Sequence, residues 1–244
     1  MNKKLSSIIC FILIVGAFVP AISIAFAGKP DKGPIEKIVF IHYKKGYGKP
    51  EGTPGTGVEK GYYKLLGTGI EWKTLPVTYV IDPGNSGLET GFVVSAISAS
   101  AGEWDSWTTS ELFSDNYKVI SDGSWDSDTP DGRNELVFGD YPKEDVIAVC
   151  IIWGYFSGPP KQRSIIEFDI MFDTDYTWGD AELNPTVMDL QNIATHELGH
   201  GVGLADLYDY SASEETMYGY STCGEIKKRT LHFGDIAGIQ KLYR

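Results

Sequence analysis

The sequence predicts an α+β domain built on a mixed β-sheet. Hydrophobic periodicity gives the order strand, helix, four strands, helix, helix, which lacks the regular strand–helix alternation of a parallel α/β sheet. The 244 residues are 42% hydrophobic and 22% charged, ordinary values for a globular protein. Because the net charge is −12, we expect no general attraction for nucleic acid or anionic lipid.

The first 27 residues are expected to be a secretory signal peptide. Lys3 and Lys4 precede an apolar run at 8–19, and a small-x-small cleavage site ends at Ala27. An uncleaved membrane anchor made from the same run is the less favoured alternative. The sequence therefore predicts a secreted, extracellular protein without stable membrane insertion, and nothing in it indicates more than a monomer.

Residues 28–60 differ in charge from the rest of the mature chain. They carry seven lysines against four acids, whereas residues 61–244 carry 12 lysines and arginines against 29 acids. We expect residues 61–244 to form one domain and residues 28–60 to be a basic linker or short pro-segment. Within that segment only residues 38–43 read as a strand.

The elements of the main domain follow from periodicity. Alternating or continuous apolar residues predict strands at 77–81, 117–120, 135–138, 147–153 and 164–172. Helical spacing predicts helices at 92–107, 187–201 and 234–243. In the last predicted strand, the even-numbered residues from Ile166 to Phe172 are expected to share one buried face.

The residues with chemical potential lie at the end of the second predicted helix. His196 and His200 are four residues apart, so their imidazoles project from one helix face and can take two corners of a metal site. Glu197 lies about 100° around the helix, beside the metal, where a carboxylate can take a proton from a metal-activated water. Gly203 suits a left-handed turn that ends the helix, and Asp206 then offers an oxygen ligand.

The stretch 196–206 resembles the metzincin pattern His-Glu-x-x-His-x-x-Gly-x-x-His, with Asp206 where most of that clan has a third histidine. Met217 resembles the methionine of the Met-turn, and residues 235–243 resemble the C-terminal helix of matrixin-type (M10-type) domains. The resemblance implies a metzincin-like zincin fold with a long helix, an active-site helix, a C-terminal helix and a twisted, mixed five-stranded sheet. Its antiparallel edge strand would be 147–153, to which an extended peptide could add as a further strand.

What this resemblance implies for function is a zinc metalloendopeptidase. His196, His200 and Asp206 would hold Zn²⁺, and Glu197 would act as general base toward a zinc-bound water. Tyr220, shortly after the Met-turn, is a further candidate catalytic residue. The expected partner is a protein or peptide substrate in extended conformation.

Two alternatives stay open. One is a catalytically inactive, zinc-holding extracellular binding module, against which Glu197 argues because a structural site has no use for that carboxylate. The other is a peptidase whose third ligand is a more distant glutamate. The candidates for that ligand are Glu214, Glu215 and Glu225. Asp209 competes with Asp206, but it falls off the metzincin spacing.

Cys150 and Cys223 are a candidate disulfide. They are the two cysteines left without the signal peptide, and cysteines of extracellular proteins usually pair. In the fold implied by the resemblance, their segments form opposite walls of the cleft. Two separately buried thiols are the alternative.

Calcium is a second candidate ion. Four carboxylates in the acidic loop suit Ca²⁺, and so do Asp173 and Asp175, although a solvated acidic loop explains the first group equally well. The loop carboxylates are Asp122, Asp126, Asp128 and Asp131.

Latency is the last question that the sequence raises. The sequence contains no Pro-Arg-Cys-Gly motif, so latency through a cysteine thiolate is not expected. The basic segment 28–60 could instead lie along the cleft, with His42 as a group that caps the zinc. A flexible spacer is the alternative.

Overall fold

The computed structural model describes residues 32–47, 62–125 and 127–244, so the predicted signal peptide lies outside the described residues. The strands are β1 (Glu36–Lys44), β2 (Val80–Ile81), β3 (Lys118–Val119), β4 (Glu135–Gly139), β5 (Val146–Tyr155), β6 (Ser164–Asp173), β7 (Trp178–Gly179), β8 (Met188–Asp189) and β9 (Tyr220–Ser221). The helices are α1 (Thr90–Asp105), α2 (Leu190–Gly201) and α3 (Phe233–Leu242), with short 3₁₀ turns at Pro160–Gln162, Tyr210–Ala212 and Lys227–Arg229. The predicted α+β class is confirmed.

The main sheet has the strand order β3-β2-β4-β6-β5-β1-β9. Strands β3, β2, β4 and β6 run parallel, and β5 is antiparallel to β6, which confirms the predicted mixed sheet. The sheet has seven strands where five were predicted, and β5 is not its edge. Two strands extend it. Strand β1 pairs antiparallel with β5 along its length and parallel with the short strand β9. The edge of β5 is therefore covered by an N-terminal segment of the same chain.

The core lies between this sheet and helices α1 and α2. Trp104 on α1 is fully buried and donates a hydrogen bond from its Nε1 to the Thr195 carbonyl on α2, at 2.8 Å. The prediction that α1 continues to Trp107 is wrong, because the helix ends at Asp105. The Asp105 carboxylate accepts from the following backbone, and Trp107 is 40% exposed. In the described part of the chain, no helix is long and apolar enough to cross a membrane.

Strand β6 contains a β-bulge that the alternation rule missed. Glu167 pairs with Trp153 and Ile165 pairs with Gly154, so Ile166 is an extra residue on β6. The bulge turns Ile165 into the core, and Ile166 packs against the opposite face of the sheet. The prediction that Ile166 shares the buried face of Phe172 is therefore wrong.

Helix α2 begins three residues later than predicted. Asp189 is its N-cap, since the side chain accepts a hydrogen bond from the Asn192 amide at 2.8 Å. The helix ends at Gly201, and Gly203 has the left-handed φ of 107° that the sequence predicted. This turn sends the chain sharply back past the end of α2.

Candidate metal centre

Two histidines of α2 and one carboxylate converge at a single buried point. The Nε2 atoms of His196 and His200 lie 3.2 and 3.4 Å from Oδ1 of Asp206. All three side chains are buried. The turn at Gly203 is what brings Asp206 back to the helix, so the local chemistry of the sequence accounts for this convergence.

The histidine rings are oriented for metal binding. Nδ1 of His196 lies 2.7 Å from the Thr216 carbonyl oxygen, and Nδ1 of His200 lies 3.0 Å from that of Leu204. Because a carbonyl only accepts, each Nδ1 donates, which leaves a lone pair on each Nε2. Nε2 of His196 and Oδ1 of Asp206 have no hydrogen-bond partner although they are buried. Two imidazoles and a carboxylate fit Zn²⁺.

Tyr208 is a functional neighbour that the sequence reasoning missed. Its hydroxyl donates to Oδ2 of Asp206 at 2.9 Å, which leaves Oδ1 directed at the two histidines. The signal was only its place two residues beyond Asp206. Tyr220, predicted as catalytic, is half-buried in β9, and its ring lies 5.3 Å from that of Tyr208. The structure thus places Tyr220 at the side of the centre, next to β1.

Glu197 lies beside the histidines. Its Oε1 lies 2.9 Å from Nδ1 of His42, while its Oε2 is buried without a hydrogen-bond partner. A carboxylate oxygen of Glu197 also lies within 4.8 Å of a ring nitrogen of His196. Burial raises the pKa of Glu197 to about 8. The side chain is thus placed to exchange a proton next to the three converging side chains.

Met217 supports the centre from below. It is fully buried, and a side chain at Gly199 of α2 would collide with its sulfur and with the ring of Trp104. Asp235 fixes the turn around Met217 by accepting hydrogen bonds from the backbone amides of Thr216 and Met217, at 2.6 and 3.1 Å. The predicted structural role of Met217 agrees with this packing, and the need for Gly199 was not foreseen.

Strand β1 covers the centre. The ring of Phe40 stacks on His200 with centroids 3.8 Å apart, and the ring of His42 lies 4.0 Å from that of His196. The side chains of Phe40 and His42 are both buried. Both ring nitrogens of His42 contact other groups, one at Glu197 and one at Lys228, so that a metal-capping role for His42 stays a prediction.

Lys228 is a fully buried lysine beside this site. Its Nζ donates to the carbonyl oxygens of Tyr218 and of Tyr220, the latter at 3.0 Å, and lies 3.3 Å from Nε2 of His42. Burial lowers the pKa of Lys228 to about 8. The sequence shows only three consecutive basic residues here, so nothing distinguished Lys228 from its neighbours.

The alternative ligands are engaged elsewhere. Glu214 contacts Lys227, Glu215 contacts His232, and Glu225 accepts from the hydroxyl of Ser221. Asp209 accepts from the Ser211 amide at the start of a 3₁₀ turn. Among the described residues, none of these four acids joins the two histidines of α2.

Cys150 and Cys223 are free thiols, so the predicted disulfide is absent. Cys150 lies in β5, opposite Phe40 of β1, and Cys223 follows β9. Strand β1 therefore lies between the strands of the two cysteines. Two strand spacings separate the walls by about 10 Å, beyond the ~7 Å that a disulfide allows between Cα atoms.

A second cluster of acids lies at the end of β6. Asp140, Asp173 and Asp175 each offer an oxygen within 4.8 Å of the others, and Asp173 is buried with an Oδ2 that has no partner. Burial raises the pKa of Asp173. The predicted loop carboxylates do not form such a group in the described residues, and Asp126 lies outside them.

Comparison with known proteins gives one matching family model and several related proteins. The family model for matrixins (Peptidase_M10) matches residues 156–244. Matrix metalloproteinase-16 of Homo sapiens is 28% identical over 223 residues, covering 90% of this chain and 34% of that protein. Stromelysin-1 of Mus musculus is 28% identical over 192 residues, covering 78% and 36%. Metalloendoproteinase 2-MMP of Arabidopsis thaliana is 31% identical over 178 residues, covering 68% and 40%. The chain thus spans about a third of the length of the first of these relatives.

Proposed function

Because this chain contains a matrixin-like metzincin catalytic domain, we propose that it is a zinc-dependent endopeptidase that cleaves extended peptides. The observation that carries the proposal is the convergence of His196, His200 and Asp206, with Glu197 beside them. A purely structural metal site would not need this buried carboxylate. The test is peptide cleavage by the protein with and without zinc.

In this proposal His196, His200 and Asp206 hold the ion. A zinc ion bound there would supply Lewis acidity, which lowers the pKa of a coordinated water to about 7. Glu197 takes a proton from the attacking water and passes it to the leaving amine. Its unpartnered Oε2 supports this role. The peptide pairs with β5 as an added strand, in the place that β1 takes in the structure.

We further propose that β1 makes residues 28–60 an inhibitory pro-segment. Three contacts support this: the pairing of β1 with β5, the stacking of Phe40 on His200, and the hydrogen bond between His42 and Glu197. Together they take up the peptide-binding edge and one oxygen of the general base. Cleavage then requires that β1 leaves the sheet.

Loosening β1 is expected to activate the full chain. Phe40→Ser removes a buried aromatic side chain, which destabilises the packing of β1 by about 3 kcal/mol. The fraction of molecules in which β1 has left the sheet should then rise about 100-fold. The matched control is Lys37→Ser, at an exposed position of the same strand. Rates with a quenched fluorescent peptide should rise for the first variant only. Equal rates for wild type and both variants would favour the spacer over the inhibitor.

The covered cleft also favours a second candidate function, the inactive zinc-holding module. If β1 is a permanent strand, a peptide never reaches Glu197, and the centre serves stability alone. The same assay separates the two functions. Zinc-loaded Phe40→Ser protein that is folded, has lost β1 from the sheet and still cleaves no peptide would establish the module.

We propose that Asp140, Asp173 and Asp175 bind Ca²⁺, supported by the buried, unpartnered oxygen of Asp173. Millimolar Ca²⁺ should raise the melting temperature by ~4 °C or more. Asp175→Asn should abolish this shift, whereas Asp115→Asn, at an exposed acid elsewhere, should leave it unchanged. A shift that persists in Asp175→Asn would contradict the site.

We also propose that the protein is secreted and extracellular. The support is the sequence of the first 27 residues, with its basic start, its apolar run and its small-residue cleavage site. N-terminal sequencing of the protein from culture medium should begin at Gly28. Recovery of the whole chain in the membrane fraction would favour the uncleaved anchor instead.

A further inference from the structure

We propose that Lys228 is a specificity-determining residue that selects peptides with a glutamate at the position that His42 takes in the cleft. The inference rests on the proposed function, because it names the substrate class of the same cleft. It is carried by the position of the Lys228 ammonium group, which lies at the inner end of the recess that holds the His42 ring.

Strand β1 shows where the side chains of a bound peptide would lie. It is extended and paired with strands on both sides, as a peptide added to the β5 edge would be. Its side chains alternate, so Phe40 and His42 both point at the metal centre. The His42 ring lies between Glu197 on one side and Lys228 on the other. A peptide in this register would place one side chain in the same recess.

The donors of Lys228 are only partly satisfied by the domain itself. An ammonium group has three N–H donors. Two of them go to the carbonyl oxygens of Tyr218 and Tyr220, which belong to the chain beyond Met217 and not to β1. The third reaches Nε2 of His42, which belongs to β1. When β1 leaves, this third donor faces the recess without a partner.

The charge of Lys228 also lacks a contacting counterion, because the acids that act on it, Glu225, Asp206 and Glu197, do so from beyond ion-pair distance. In the described residues no carboxylate lies within 4.0 Å of its Nζ, although the side chain is fully buried. A buried charge without an opposite charge in contact is costly, so a carboxylate that the substrate brings to Nζ gains both a hydrogen bond and an ion pair. The recess therefore favours an anionic side chain over a neutral one of the same shape.

The place of His42 sets the length of that side chain. Its Nδ1 donates to Glu197 near the metal centre, and its Nε2, at the far end of the ring, accepts from Lys228. A glutamate carboxylate reaches about as far from its Cα as Nε2 of histidine does. An aspartate side chain is one methylene shorter, so its carboxylate would stop short of Nζ of Lys228. Glutamate is therefore the acid that fits.

The test compares peptides that differ only at this position, with glutamate, glutamine or leucine, in the full chain carrying Phe40→Ser. We expect kcat/KM for the glutamate peptide to exceed that for its glutamine isostere by ~10-fold or more. Lys228→Met should bring the two within ~2-fold of each other. Lys227→Met, which removes the same charge from the preceding, partly exposed residue, should keep the full preference.

A merely structural lysine would behave differently. If Lys228 only ties down the strand of Tyr220, Lys228→Met would slow all three peptides equally and leave their ratios unchanged, which would overturn the inference. If that variant does not fold, the comparison of the three peptides in the Phe40→Ser protein with Lys228 intact decides the question. Equal cleavage of the glutamate and glutamine peptides, or a preference for leucine, would also overturn it.

Binding separates this inference from the proposed function. Glu197→Gln protein, also carrying Phe40→Ser, should bind the glutamate peptide more tightly than the glutamine peptide by fluorescence anisotropy, and Lys228→Met should remove the difference. If this binding preference is observed but the Phe40→Ser protein that retains Glu197 cleaves no peptide, the result would support the inference and contradict the proposed peptidase function. Cleavage together with equal binding would contradict the inference and support the peptidase. Binding of neither peptide would contradict both.

Discussion

Glu197→Gln is expected to lower kcat/KM by at least ~100-fold, because an amide cannot take up the proton that the general base removes. The glutamine has nearly the same shape, so the fold and the bound zinc should both persist. The measurement is peptide cleavage with Phe40→Ser in both proteins, alongside metal analysis and melting temperature. Glutamine can still accept at its oxygen from Nδ1 of His42, which keeps the local packing.

The control for Glu197 is Glu214→Gln. Glu214 is two-thirds exposed and contacts Lys227, and it was one of the alternative ligands. Its replacement should change neither zinc content nor cleavage. A Glu197→Gln protein that cleaves at a near-normal rate would contradict the proposed mechanism, since Glu197 is the group assigned as general base.

Asp206→Ala is expected to weaken zinc binding by at least ~100-fold, because it removes one of three protein ligands, a larger change than the loss of a supporting hydrogen bond. The two histidines would remain in place, held by the Thr216 and Leu204 carbonyls. The dissociation constant can be measured by competition with a chromophoric chelator. Cleavage should fall in parallel at limiting zinc.

Asp209→Ala is the matched control for Asp206→Ala. Asp209 is exposed, caps a 3₁₀ turn and lies three residues further along the chain. It should leave zinc affinity unchanged. Unchanged affinity in Asp206→Ala, or a loss in Asp209→Ala, would place the third ligand elsewhere than at Asp206.

The convergence of His196, His200 and Asp206 could be predicted because its determinants are local. Helical spacing alone puts His196 and His200 on one face, and a glycine with positive φ at position 203 returns the chain to them. Asp206 then follows within three residues. The strands β5 and β6 were equally readable, since each is a long apolar run that pairs with the other.

The sequence offered a segment that covers the centre only as one of two alternatives for residues 28–60, and the contacts of that segment could not be predicted with the same means. His42 meets Glu197 across 155 positions and Lys228 across 186, and no spacing rule connects residues so far apart. The sequence predicted a strand at residues 38–43, but it did not indicate which strands would pair with it. Its insertion between β5 and β9 also explains why the predicted pairing of Cys150 with Cys223 is absent.

Smaller errors came from backbone irregularity. The bulge at Ile166 inverts one position of an otherwise regular alternation, and the pattern of apolar residues does not reveal it, since Ile165 and Ile166 are identical in type. In the same way, Lys228 is the fully buried residue in a run of three basic residues, and the run itself does not indicate which of the three is buried. Such choices depend on the surrounding packing and not on the segment itself.

The most direct test of the account is zinc content measured together with endopeptidase activity in the full chain carrying Phe40→Ser. We predict one zinc per chain, cleavage of an extended peptide, loss of cleavage on chelation and its return when zinc is added back. Cleavage that is insensitive to the chelator would contradict the account, as would a zinc-loaded protein with an open cleft that cleaves no peptide.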